Sequence, residues 1–170
     1  MALLKIELLG SEILRRKADD VAPGPDVELD GLIADMFETM YENKGIGLAG
    51  PQVGVPKRVI VVDVNDETGE EMGAFALLNP RIVESGSDLD KHEEGCLSIP
   101  GVTGVVERPW TVTVEGLSQK GEPMRIEAEG MLARCLQHEI DHLDGVLFID
   151  RLSPLKRNMV LRKYRKQAAT

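Results

Sequence analysis

Residues 136–145, with the sequence LQHEIDHLDG, restrict the fold more than any other part of the chain. They hold two of its three histidines, His138 and His142, with Glu139 directly after the first. On a helix, residues four positions apart lie on the same face, so the two imidazoles can bind one metal ion. A catalytic metal site takes a third protein ligand. The chain must therefore fold so that another segment brings a ligand to this helix.

The third ligand is expected from upstream. Cys135 lies seven residues from His142, which is about 10 Å along a helix axis. Metal–ligand bonds of about 2.0–2.3 Å cannot span that distance. We therefore expect Cys135 to be a small apolar residue beneath the site. The extended zinc-protease motif needs a histidine where this chain has Phe148, and no histidine or glutamate follows His142. Upstream, Cys96 in HEEGCLSIPG is the best candidate and His92 is its rival.

Periodicity places helices towards both ends of the chain and strands in the middle. Helical spacing of apolar residues, cap residues and a helix-opening proline predict helices at 11–18 (capped by Ser11), 27–43, 130–143 and 154 to about 168. Runs rich in β-branched residues predict strands at 58–64, 74–83, 102–106, 110–117 and 122–128.

These elements predict one compact α+β domain over residues 1–170. We expect antiparallel or mixed strands around a central helix that carries the HEIDH motif, and a C-terminal helix. No apolar run is long enough to span a membrane, and the N-terminus lacks the features of a signal or transit peptide. With only two cysteines, the chain is expected to be cytoplasmic, with free thiols.

Charge is distributed unevenly along the chain. Residues 151–170 carry seven basic side chains and no acidic one, so a whole-chain charge of −9 leaves −16 on the first 150 residues. Such an acidic body predicts no specific binding to DNA. The basic C-terminal helix either binds an anionic partner or is a solvated helix face.

Three short segments together resemble the signature motifs of peptide deformylases. They are GIGLAGPQ at 45–52, EGCLS at 94–98 and QHEIDHLDG at 137–145, in the order that the family has them. The resemblance implies a hydrolase of protein biosynthesis that removes the N-formyl group from the N-terminal formyl-methionine of new polypeptides and releases formate. It also implies that Cys96, His138 and His142 hold one divalent metal ion. Fe²⁺ is the implied cofactor, and Zn²⁺, Ni²⁺ or Co²⁺ is possible in purified protein.

The resemblance assigns catalytic roles to three further residues. Glu139 is expected to take a proton from the attacking water and to pass one to the leaving amine. The Gln52 side chain and the Leu97 backbone N–H are expected to donate hydrogen bonds to the oxyanion. The metal would lower the pKa of the water.

The methionine side chain requires an apolar slot next to the metal. We expect Ile46, Met131 and Cys135 to form this slot and the backbone at Gly47 to pair with an extended peptide, with Gly101 as a second pairing position. Arg134 and His92 stand where an apolar lining is expected. Position 50 is more often alanine in this motif, and we expect that glycine there gives the loop additional freedom.

Two alternatives to a deformylase remain open from the residues. One is a zinc metallopeptidase with a Cys/His/His site that also uses Glu139 as its base; the other is a binding module in which the metal is structural. Among partners, we expect the formyl-Met nascent peptide. By analogy with related deformylases, we also expect the ribosome, reached through the basic C-terminal helix.

Overall fold

Seven strands form two separate antiparallel sheets in this computed structural model, which describes residues 2–22, 24–64 and 73–168. The larger sheet has the order β1-β2-β3-β6-β7, with strands at Gly47–Ala49 (β1), Val59–Val62 (β2), Phe75–Ser85 (β3), Thr111–Leu117 (β6) and Pro123–Glu129 (β7). The smaller sheet is a hairpin of Leu89–Cys96 (β4) and Ile99–Pro109 (β5). Every neighbouring pair within these sheets is antiparallel.

Three α-helices accompany the sheets in the described residues. They are Val27–Glu42 (α1), Gly130–Leu143 (α2) and Pro154–Ala168 (α3), and short 3₁₀ turns lie at Glu12–Arg15, Gly50–Val53 and Phe148–Arg151. The predicted α+β class with a C-terminal helix is confirmed. None of the described helices has the length and apolar character to cross a membrane.

The larger sheet lies between two helices, because both faces of its strand β2 are buried. Ile60 and Val62 point to the cluster that contains Leu136 and Ile140 of α2. Val59 and Val61 belong instead to the cluster that contains the apolar stripe of α1. Each such buried aliphatic side chain contributes roughly 1.5–3 kcal/mol to folding. This packing holds α2 against the sheet through Leu136 and Ile140, while His138 and His142 face the hairpin.

A third cluster joins the hairpin to the C-terminal part of the chain. Ile99, Val102 and Val106 of β5 pack with buried residues that include Phe148, and Val160, Leu161 and Tyr164 of α3 cover this cluster. The helix α3 therefore lies on the outer side of β5.

The helix predicted at 11–18 is wrong. Only Glu12–Arg15 forms a 3₁₀ turn, and the Ser11 side chain makes no capping hydrogen bond. The chain is extended from Arg16 onwards, and the Ala18 N–H donates to the Leu143 carbonyl at the end of α2. A tertiary hydrogen bond thus replaces the next helical turn.

Two strands were missed by the sequence analysis. β4 has the charged sequence LDKHEEGC, in which apolar alternation is absent. β1 is three residues long and lies within the glycine-rich motif. The remaining predicted helices and strands are confirmed, with ends shifted by at most three residues.

Candidate active site and metal centre

The third ligand candidate meets the two histidines where the hairpin crosses α2. Cys96 is the last residue of β4. Its Sγ lies 3.3 Å from His142 Nε2, which lies 3.1 Å from His138 Nε2. A tetrahedral metal with bonds of about 2.0–2.3 Å separates its ligand atoms by about 3.3–3.6 Å. Both distances are close to this range, and all three ligand atoms lie within 4.8 Å of one another, which suits a metal ion. His92 lies exposed on β4 outside this group.

The charges around the three ligands favour a cation. Burial by itself lowers the pKa of His138, but its hydrogen bonds with Cys96 and Glu94 outweigh burial, so the pKa lies well above the ordinary value. For His142, burial and the neighbouring His138 charge lower the pKa. His138 and His142 together therefore favour one positive charge between their rings, and a bound metal ion would supply that charge.

Glu94 orients the His138 ring. Burial raises the pKa of Glu94, but hydrogen bonds from His138 and Arg108 outweigh that cost and hold the pKa well below its usual range. Because Glu94 is ionised, His138 Nδ1 must be the donor across the 2.9 Å contact with Glu94 Oε1. This tautomer leaves a lone pair on Nε2, the nitrogen that faces Cys96 and His142.

Glu139 is in the opposite electrostatic situation. Its carboxylate is buried, and among the described residues Oε1 has no hydrogen-bond partner. Burial raises the pKa of Glu139 to about 7. A carboxylate with that pKa beside a metal site can exchange protons near neutral pH.

Glycine at position 47 allows β1 to pass directly over Glu139. A Cβ atom there would lie 2.7 Å from Glu139 Oε2 and 2.8 Å from Cys135 Sγ. Because β1 pairs only with β2 among the described strands, its other edge has no strand partner there. The chain therefore offers this open strand edge within reach of the Glu139 carboxylate.

Gln52 turns its amide N–H groups towards Cys96. Its Oε1 accepts a hydrogen bond from the Ala49 N–H at 3.0 Å, so its Nε2 faces Ser98 Oγ at 3.2 Å and Cys96 Sγ at 3.5 Å. Leu97 follows in the tight turn between β4 and β5 and lines the same cleft. Both residues assigned to the oxyanion thus border the candidate metal site.

An open cleft of about 550 Å³ leads to these side chains. All five residues expected to contact substrate line it: Ile46, Gly47, Gly101, Met131 and Cys135. Ile46 and Met131 are 43% and 39% exposed, and the thiol of Cys135 is buried beneath them. Burial raises the pKa of Cys135 well above its ordinary value, with Glu139 adding to the effect, so this cysteine stays a neutral thiol.

The expectation for Gly50 is wrong. Gly50 is buried, and a Cβ atom there would lie 2.7 Å from the Lys57 carbonyl oxygen and 2.9 Å from that of Val55. Glycine at this position permits close backbone packing, which stiffens the loop that carries Gln52. His92 does not line the cleft, whereas Arg134 does.

The sequence analysis missed the role of Arg151. Its guanidinium donates to Asp141 at 2.7 and 3.2 Å, and Asp141 also accepts from Arg108 at 3.0 Å. One of the seven basic residues of the tail is therefore paired with the carboxylate that precedes His142. No local pattern reveals this pair, because the 3₁₀ turn at Phe148–Arg151 brings Arg151 back to α2.

Comparison with known proteins agrees with this geometry. The sequence model of the polypeptide deformylase family matches residues 3–158. The chain belongs to this family. A peptide deformylase from Rhizobium meliloti is 48% identical over 170 residues, which cover 100% of this chain and 97% of the relative. The resemblance of the three motifs is therefore confirmed.

Solved deformylase structures share the whole fold. The enzyme from Ehrlichia chaffeensis in complex with actinonin is 40% identical, with a TM-score of 0.92 over 100% of both chains. A class I type b deformylase from Acinetobacter baumannii with bound Met-Ala-Ser is 38% identical, with a TM-score of 0.84 over 89% of this chain and 99% of that one. The chain is thus a metal-dependent deformylase that acts on formylated N-terminal methionine, and the metallopeptidase alternative is set aside.

Proposed function

We propose that residues 1–170 form one catalytic domain that deformylates nascent polypeptides in the cytoplasm, with Cys96, His138 and His142 as the ligands of one metal ion. The observation that carries this proposal is the convergence of the three ligand atoms in an open cleft beside the buried Glu139, whose Oε1 has no hydrogen-bond partner in the described part of the chain. Three protein ligands leave one tetrahedral position for water, which is the pattern of a catalytic site.

The side chains around the metal divide the chemistry between them. The bound ion supplies Lewis acidity that lowers the pKa of the attacking water. Glu139 accepts the proton of that water and later delivers a proton to the leaving amine. The Gln52 amide and the Leu97 N–H donate hydrogen bonds to the oxyanion that forms from the formyl oxygen. Glu94 keeps His138 in the required tautomer.

The cleft supports a peptide substrate that begins with methionine. Ile46, Met131 and Cys135 supply an apolar slot for the methionine side chain, and the open edge of β1 at Gly47 can pair with an extended backbone. The Acinetobacter baumannii relative binds Met-Ala-Ser, a peptide that begins with methionine. We expect Gly101, which also lines the cleft, to be a second pairing position.

We propose Fe²⁺ as the metal ion on the basis of the family resemblance. Ligand affinity alone favours Zn²⁺ over Fe²⁺ at such a site. The test is formate release from formyl-Met-Ala-Ser by protein reconstituted without oxygen with Fe²⁺, Zn²⁺, Ni²⁺ or Co²⁺. We expect the iron form to be fast and the zinc form slow, and acetyl-Met-Ala-Ser to remain intact. A zinc form that is much faster than the iron form would refute the assignment of iron, and release of acetate would refute formyl specificity.

Replacing Gln52 with alanine tests the oxyanion contact. Loss of one donor to an oxyanion costs about 100- to 1,000-fold in kcat. We expect a decrease of that size, with KM and metal content close to those of the parent, measured by steady-state kinetics and metal analysis. An effect on KM alone would make Gln52 a residue that only positions the substrate.

We propose that the exposed basic side chains of α3 bind the ribosome. Deleting α3 is a poor test, because Val160, Leu161 and Tyr164 cover the β5 cluster and their removal would expose it. Arg162, Lys163 and Lys166 are exposed and lie outside that contact. They are the residues to reverse in charge.

The triple variant R162E/K163E/K166E is expected to lose co-sedimentation with ribosomes while hydrolysing formyl-Met-Ala-Ser at the rate of the parent. Binding of the parent should also fall steeply with salt, since contacts with phosphate release counterions. The matched control reverses the exposed lysines Lys57, Lys91 and Lys120. Equal losses in both triple variants, or binding that is insensitive to salt, would contradict a specific role of α3.

A further inference from the structure

The candidate metal ligands come from two parts of the fold that share no strand ladder in the described residues. Cys96 ends β4 of the hairpin, whereas His138 and His142 lie on α2, which packs on the larger sheet. Main-chain pairing therefore does not set the position of the thiolate relative to the imidazoles. Side-chain contacts between the hairpin and α2 must therefore fix the position of Cys96 relative to His138 and His142.

Arg134 makes the most extensive of these contacts. It lies on α2, four residues before His138, and is 5% exposed. Its Nη1 donates to Glu94 Oε2 at 2.5 Å and to the Val106 carbonyl at 2.9 Å, while Nη2 donates to the Asp90 carbonyl at 2.8 Å. One guanidinium thus contacts both strands of the hairpin.

The contact continues to the metal site through Glu94. The carboxylate that accepts from Arg134 also accepts from His138 Nδ1 at 2.9 Å. Arg108 binds the same carboxylate, but it starts from β5 of the hairpin and reaches α2 only through Asp141. Arg134 is therefore the arginine that joins α2 directly to the carboxylate and to both strands.

We propose that Arg134 is a positioning residue that holds the hairpin against α2, so that Cys96 and His138 are placed for the same metal ion. Its planar fork suits this task, since it binds a carboxylate and two carbonyls at fixed angles. This explains why a charged side chain stands at a cleft position where an apolar lining was expected. The inference rests on the proposed metal ligands.

The test measures metal affinity as well as activity. The affinity for Co²⁺ is measured by titration against a chromophoric chelator for Arg134→Met, Arg134→Lys and the control Arg125→Met. Arg125 is an exposed arginine that pairs with Glu115 on the larger sheet. Loss of a group that orients a metal ligand typically weakens metal binding about 10- to 100-fold. We expect such a loss for Arg134→Met, together with a weaker thiolate-to-cobalt absorption band.

The lysine variant separates charge from geometry. Lysine keeps the positive charge beside Glu94 but lacks the fork that reaches both strands, so we expect it to recover only part of the lost affinity. If Arg134 acts through Glu94, adding Glu94→Gln to Arg134→Met should weaken binding by less than the product of the two single effects. Near-ultraviolet circular dichroism of the metal-free proteins checks that each variant is folded.

Several outcomes would overturn the proposal: parent-like affinity and spectrum in Arg134→Met, full recovery by lysine, multiplicative effects in the double variant, or an equal loss in Arg125→Met. If Arg134→Met does not fold, the test rests on Arg134→Lys. Cobalt affinity and an absorption spectrum equal to those of the parent in that variant would overturn the proposal. Failure of the proposed ligand set would look different, because the parent itself would then lack the thiolate-to-cobalt band.

Discussion

Replacing Glu139 with glutamine is expected to lower kcat for a formyl-Met peptide by about 100- to 10,000-fold, the usual contribution of a general acid–base group. The metal content should be unchanged, because Glu139 is outside the Cys/His/His group. Glutamine has nearly the same shape, so the packing of the residue 139 side chain against Gly47 is preserved. Steady-state kinetics and metal analysis of the same preparations measure both quantities.

The exposed Glu127 of β7 provides the matched control for this substitution. Glu127→Gln makes the same chemical change away from the cleft and should keep the kcat of the parent. Near-normal turnover in Glu139→Gln would refute the proposed proton transfer. Loss of metal from that variant would instead mean that Glu139 supports the metal site.

Replacing Cys96 with alanine is expected to abolish both metal binding and activity. The affinity should fall by more than the roughly 10- to 100-fold that follows from loss of a group that only orients a ligand. Removing the thiolate leaves two histidines, and the negative charge that favours the cation is lost as well. Chelator competition with the purified variant measures the affinity, and formate release measures the activity.

Cys135→Ala is the matched control for metal affinity, because it removes the other cysteine of the chain. Cys135 is a buried neutral thiol whose Sγ lies 3.6 Å from the Ile46 carbonyl. We expect the Cys135→Ala variant to bind metal as the parent does. If Cys96→Ala also kept the affinity of the parent, the third ligand would have to be His92 or a carboxylate.

The site places two glutamates of the same intrinsic acidity in contrasting surroundings. Glu94 is surrounded by Arg108, Arg134 and His138, and its pKa is held well below the ordinary range. Burial raises the pKa of Glu139 to about 7, because the charges of His138 and Arg108 oppose it only in part. Separated pKa values of this kind mark a division of roles between carboxylates. Glu94 is suited to a permanent charge and Glu139 to proton transfer.

Much of the candidate site could be predicted because its signals are local. His138 and His142 fall on one face of a helix by spacing alone, and α2 has the predicted bounds. Cys96 stood out because it lies upstream of a helix that lacks a third ligand of its own. The order of the three motifs then indicated the family without any knowledge of the contacts between them.

The sequence by itself thus determined the α+β class, the three α-helices α1, α2 and α3, and the candidate ligands, since these depend on periodicity and short motifs. Only the tertiary structure decided that the charged segment Leu89–Cys96 is a strand, that Gly50 packs against carbonyls, and that α3 covers β5. It also decided that Arg134 and Arg151 are paired. The reason is physical: a buried charge or a close backbone contact depends on partners far away in the chain, and no local pattern records them.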